Sequence, residues 1–83
     1  MIKAARLNVG DRVKITKAIY QSDLQNKLNA GRTGVVVERY YTLTGHPQYT
    51  VRLDDPYEYK GYPVRFVDFM ECDYAIEKIV GAV

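Results

Sequence analysis

An all-β fold, a small five-stranded barrel in a single domain, is what this 83-residue sequence predicts. Three observations carry that expectation. Short β-branched and aromatic runs recur near 12–17, 33–42, 48–53 and 62–66, and most alternate apolar with polar side chains. Turn chemistry separates them: Gly10-Asp11, Gly31 and Gly34 around Arg32-Thr33, and Leu-Thr-Gly-His-Pro at 43–47. A chain this short has one thin core, and closing a small sheet on itself removes edges that would otherwise invite aggregation.

The elements follow in order. Residues 1–8 are a lead-in with Ile2 and Leu7 as anchors. Residues 12–19 alternate, with Val13 and Ile15 on one face and Arg12, Lys14 and Thr16 on the other, as in a half-buried strand. Residues 20–30 are polar, and Ser22-Asp23 caps a single helical turn through Leu24 and Leu28, giving a long loop with a helical turn. Gly31 and Gly34 suit a tight bend in which one backbone takes positive φ or approaches another closely. Residues 33–42 form a strand that pairs through the 43–47 turn with residues 48–53, where Tyr49, Val51 and Leu53 oppose Thr50 and Arg52.

Residues 54–61, Asp-Asp-Pro-Tyr-Glu-Tyr-Lys-Gly, read as a second polar loop. Residues 62–66 read as a short strand with Val64 and Phe66 inward around Arg65, and 67–69 as a tight turn. A last strand runs through Met70, Cys72 and Tyr74. In the tail, 75–83, Ile76, Ile79, Val80 and Val83 fit helical spacing, so it suits either a helix or a strand. The single domain is then 1–83, with the barrel at 9–74 and an apolar tail that packs on it or on a second copy, the route to a homo-oligomer.

Composition narrows the function. Hydrophobic residues make up 47%, which argues against disorder, while a net charge of +2 selects no partner class. One cysteine, Cys72, forms no internal disulfide, and with the single histidine, His46, it builds no zinc site. A reducing, cytoplasmic setting is the expectation. Residues 1–10 lack the apolar core of a secretion signal, and no run reaches membrane-spanning length, so no membrane partner is expected. Catalysis has little to build on. His46 belongs to a hairpin tip, Cys72 to the core, Asp54-Asp55-Pro56 to a turn, and Asp68, Glu71 and Asp73 to a solvated strand face. No phosphate-loop or dinucleotide fingerprint is present, so no metal and no cofactor are expected.

Gly-Asp-Arg-Val-Lys-Ile, then a loop, Gly-Arg-Thr-Gly-Val-Val-Val-Glu-Arg-Tyr and Tyr-Thr-Val-Arg-Leu-Asp-Asp together resemble a Src-homology-3-like barrel of the KOW type, with Gly31, Gly34 and Val36 carrying the motif. The resemblance spans residues 9–74. It implies the fold and a binding role, since similar barrels occur in ribosomal and transcription proteins, in accessory subunits of redox complexes and in plasmid-borne type II dihydrofolate reductases. The chain has no tryptophan and a mildly acidic first loop, which disfavours grip on proline-rich peptides. Gly-Tyr-Pro-Val-Arg-Phe-Val-Asp-Phe lacks the glutamine of the reductases' pore segment, leaving an oligomeric reductase as the distant alternative.

Binding residues are easier to nominate. Eight of ten aromatics are tyrosines, and Tyr57, Tyr59 and Tyr62 crowd one segment, with Tyr20 in the other long loop. Exposed tyrosines supply contact area at low entropy cost, so these four are the expected anchors for a protein partner. Asp54, Asp55 and Glu58 beside them disfavour a phosphate backbone there. Arg12, Lys14, Arg52 and Arg65 should point away from the core as one basic stripe flanked by Arg32 and Arg39, a rim that steers a partner or neutralises phosphates of RNA or DNA. The leading expectation is a non-enzymatic adaptor or regulatory protein on a larger assembly. The small size also suits a phage or mobile-element factor. KOW-like nucleic-acid binding is the alternative.

Overall fold

The computed structural model describes residues 5–16, 28–71 and 75–79. They form one antiparallel sheet of five strands: β1 (Arg12–Ile15), β2 (Thr33–Tyr41), β3 (Pro47–Tyr59), β4 (Tyr62–Met70) and β5 (Ile76–Lys78). The strand order is β4-β3-β2-β1-β5. The all-β class and the number of strands match the sequence expectation. Leu28 and Asn29 are helical, which is the part of the turn expected in the first long loop that falls within the described residues. Tyr20, Cys72 and Tyr74 lie outside them. No helix among the described residues is long and apolar enough to cross a membrane.

The alternation in the sequence becomes the core. Val13 and Ile15 of β1, Val36 of β2, and Tyr49, Val51 and Leu53 of β3 all face inward, joined by Leu7 of the lead-in. Both glycine roles anticipated at the bend are realised. Gly31 takes φ +90°, and a Cβ on Gly34 would stand 2.3 Å from the carbonyl oxygen of Arg52. β2 and β3 therefore meet at a contact only glycine permits. The turn before β1 hangs from β2: Gly10 N–H donates to the Val36 carbonyl at 2.8 Å, and Val36 N–H to the Asp11 carbonyl at 2.9 Å.

Two expectations need correction. The segment read as a second polar loop is β-hairpin: β3 continues to Tyr59, and β4 starts at Tyr62. Lys60 and Gly61 form the two-residue turn, with φ +52° and +83°, the type I′ pattern that matches strand twist. Asp54, Asp55 and Pro56 belong to a bulge, because five steps from Arg52 to Tyr57 face only two from Phe66 to Val64.

That bulge also inverts β4. Phe66 was expected inward but is 54% exposed, and the 67–69 "turn" is strand, with Val67 and Phe69 buried. Arg65 and Phe66 are consecutive exposed residues, which marks the slip in alternation opposite the bulge. The tail, which suits either a helix or a strand by sequence, takes the strand alternative within the described residues. Residues 76–78 are strand, seated on β1 by Thr16 N–H to the Ala75 carbonyl and Ile79 N–H to the Arg12 carbonyl, each 2.8 Å. Ile76 is buried in the same core as β1, so the described part of the tail packs on the sheet itself.

One polar cluster closes the end of the core. Glu71, the residue after β4, is buried although the sequence placed it on a solvated face. Its Oε1 accepts from the Arg6 backbone N–H and the Tyr49 hydroxyl, both 2.7 Å, and its Oε2 from Arg6 Nε at 2.7 Å. Arg6 also donates to the Ile76 carbonyl at 3.0 Å. The lead-in, β3, the end of β4 and the start of β5 meet at one carboxylate.

Candidate functional site

The β3–β4 hairpin extends past the bulge as a two-stranded arm. Its register pairs Tyr57 with Val64 and Tyr59 with Tyr62, which sets all three tyrosines on one face of the arm. They are not equivalent. The Tyr57 hydroxyl donates to Asn29 Oδ1 at 2.5 Å, and the Arg32 guanidinium lies 4.2 Å from its ring centroid. Arg32 is held there by the carbonyls of Leu28, at 2.7 Å, and Asp55, at 3.2 Å. Tyr57 therefore packs into the fold and positions the arm. Tyr59 is half-buried, with the Lys60 ammonium 5.3 Å from its ring. Tyr62 is 75% exposed and is the ring the arm presents.

The cations divide as well. Strand register places Arg12, Val35, Arg52 and Phe66 in one row across the outward face of the sheet. Lys14 lies one outward position along β1, and Arg65 is exposed on β4. Arg12 is already engaged: its guanidinium grips both oxygens of Asp54 at 3.2 and 2.7 Å, and Thr33 Oγ1 adds a 2.6 Å bond. These bonds hold the Asp54 carboxyl below its ordinary range and raise Arg12 further. Arg39 is not part of the stripe. It pairs in register with buried Tyr49, on the core side, and donates to Asn8 Oδ1 at 2.8 Å and the Leu7 carbonyl at 3.4 Å. The side chains of Lys14, Arg52 and Arg65 make no hydrogen bond within the described residues.

A second row on the same outward face is acidic. Glu38, Thr50 and Asp68 stand opposite one another across β2, β3 and β4, and Thr50 Oγ1 donates to Asp68 at 2.6 Å. Partial desolvation, then the nearby Asp68 and Glu38 carboxylates, push the Tyr40 phenol above its ordinary value. Sequence reasoning missed Phe66, Glu38 and Tyr40 as surface features. The crowding of apolar residues at 64, 66, 67 and 69 was the available signal that one of them must face out.

His46 is half-buried rather than an exposed tip. Its backbone N–H donates to Thr42 Oγ1 at 3.1 Å, and its ring Nδ1 is buried without a hydrogen-bond partner among the described residues. Among the described residues no three His, Cys, Asp or Glu side chains gather closely enough to hold a metal ion. A scan against protein-family models and searches of curated proteins and of solved structures found no match.

Proposed function

We propose that this chain is a small adaptor or regulatory protein of the cytoplasm that docks on a larger protein through the tip of the β3–β4 arm. The observation that carries the reading is Tyr62, three-quarters exposed on an arm whose base is fixed by Tyr57, Asn29 and Arg32. A rigid aromatic with a hydrogen-bonding tip is the type of group that concentrates binding energy at interfaces. Tyr59 flanks it, and Tyr57 serves as its support rather than as a contact. The Src-homology-3-like, KOW-type reading belongs to the same proposal. Five antiparallel strands, and Gly31 and Gly34 at the bend and the close approach, support it.

Tyr62→Ala is expected to leave the thermal midpoint within about 2 °C of the parent, as surface changes usually do. It should weaken capture of the partner from native extract by about 2 kcal/mol, roughly 30-fold. Unchanged capture by Tyr62→Ala, measured against the parent protein, would remove the arm from the interface.

Nucleic-acid binding is the second reading, favoured by one observation: Lys14, Arg52 and Arg65 are exposed with no side-chain hydrogen bond among the described residues, and Phe66 stands beside Arg52 as a ring for stacking. The same face carries Asp54, Glu38 and Asp68, which repel phosphates, and this ranks it below the first. Titration of mixed RNA and DNA in rising salt separates the two. Three phosphate contacts predict an affinity falling by roughly 10- to 50-fold between 50 and 200 mM salt. Absence of binding at 50 mM salt discards the second reading.

A further inference from the structure

We propose that the outward face of the sheet is a self-complementary interface for a second copy of this chain, packed face to face about a twofold axis. This goes beyond the arm described above, which lies on other residues and is left free by it.

Strand register supplies the pattern. The Arg12, Val35, Arg52, Phe66 row is basic and apolar, and the neighbouring Glu38, Thr50, Asp68 row is acidic. Outward positions two residues apart on a strand are about 7 Å apart, and neighbouring strands about 4.8 Å. Consider an axis lying between the facing sheets, running across the strands and midway between the two rows. Rotation about it preserves the order of strands and exchanges the rows. The basic row of one copy then covers the acidic row of the other, twice over by symmetry.

Arg52 is central to this arrangement. On β3 it comes to rest over Thr50 of the second copy, with Glu38 on one side and Asp68 on the other, each one strand spacing away. Among the described residues the Arg52 side chain makes no hydrogen bond, and its charge acts on Asp54 only through space, so both acids of the second copy meet a guanidinium with its N–H groups unused by those residues. Phe66, 54% exposed, and half-buried Val35 flank it and supply the apolar contact. A face carrying one sign of charge throughout would repel its own image. Apart from Asp54, whose charge Arg12 already pairs, this face is split along one line between Arg52 and the Glu38–Asp68 row, so its image is its complement. Sheets pack at about 10 Å, a separation that long Arg and Glu side chains span.

Sedimentation equilibrium of the full chain, with thermal melts to confirm folding, tests the proposal. The parent protein should show a concentration-dependent dimer that weakens as salt rises. Phe66→Asp and Arg52→Glu should each weaken it by about 10-fold or more, and so should the double variant Glu38→Lys/Asp68→Arg. Mixing Arg52→Glu with that double variant should restore a heterodimer, because every reversed charge then meets its opposite. A parent chain monomeric to about 1 mM, above the weakest specific affinities, overturns the proposal. So does a dimer indifferent to Phe66→Asp, or a mixture that stays monomeric. Monomeric protein whose binding to RNA depends on Arg52 would instead assign the face to nucleic acid. Loss of partner capture in Tyr62→Ala leaves this result untouched, so the two proposals fail separately.

Discussion

Val36→Asp is expected to abolish the fold, with no cooperative unfolding transition and no ordered near-ultraviolet tyrosine signal at any temperature. Val36 is fully buried, opposite Val51, and its backbone also holds the turn before β1. An aspartate there either ionises without a partner or stays protonated at a raised pKa, and both cost several kcal/mol. A domain of this size sits near the low end of the usual stability of about 5–15 kcal/mol. Val36→Ala, which keeps the site apolar, should cost about 1–3 kcal/mol and still fold. The neighbouring valine provides the contrast. Val35 lies one residue away on the outward face, between Arg12 and Arg52 in register, so Val35→Asp should shift stability by less than about 1 kcal/mol. Equal damage at 35 and 36 would mean that the alternation does not sort inside from outside.

That alternation explains how much of the molecule was legible in the sequence. β1, β2 and the first half of β3 have one face in water and one in the core, so their period of two is written into residue type. The remainder depends on partners distant in the chain. Asp54-Asp55-Pro56 has the composition of a turn, but Arg12 and Thr33 neutralise Asp54, and Arg32 reaches the Asp55 carbonyl. Those contacts let a bulge persist inside a strand, where it reverses which of Phe66 and Val67 is buried. Lys60 escaped notice because the I′ turn usually takes Asn or Asp at that position. In the tail, the spacing of Ile76, Ile79, Val80 and Val83 suits a helix and a strand equally well; pairing with the edge of β1 makes residues 76–78 a strand.

For the site, residue type nominated the surface residues, while only register showed which of them share a face. Arg39 looks like Arg52 in sequence, yet it falls on the core side because the β2 bulge between Val36 and Glu38 shifts the parity that follows. Tyr57 looks like Tyr62, yet Asn29 and Arg32, more than twenty residues earlier, take it into the fold.

Glu71 is the furthest from local legibility, since its partner is Arg6, and it gives the second large effect. Glu71→Ala should destabilise the domain by about 3–5 kcal/mol, near the limit of folding, because it strips the acceptor from buried donors. Glu71→Gln should cost about 1–3 kcal/mol, because it keeps the shape but removes the charge from three hydrogen bonds. Burial pushes the Glu71 carboxyl up, but the Arg6 N–H, the Tyr49 hydroxyl and the Arg6 guanidinium outweigh it and hold the group below its ordinary value. A folded-state value below the unfolded one means the unfolded chain binds the proton more readily. The stabilisation is therefore complete above the ordinary glutamate range near 4.3 and is lost as pH falls through and below it. Tyr49 acts at the other extreme. Burial, then its bond to Glu71, raises the phenol, so its contribution persists up to about pH 10 and is lost above. Urea melts of the parent between pH 3 and 7 should show a fall in stability on the acid side, and Glu71→Gln should flatten it. A residual slope from exposed Asp54 should remain, weakened by solvent. Tyr49→Phe combined with Glu71→Gln should cost less than the sum of the two, because they share one hydrogen bond. Additive losses and an acid slope unchanged by Glu71→Gln would show that this carboxylate does not join the lead-in to the sheet.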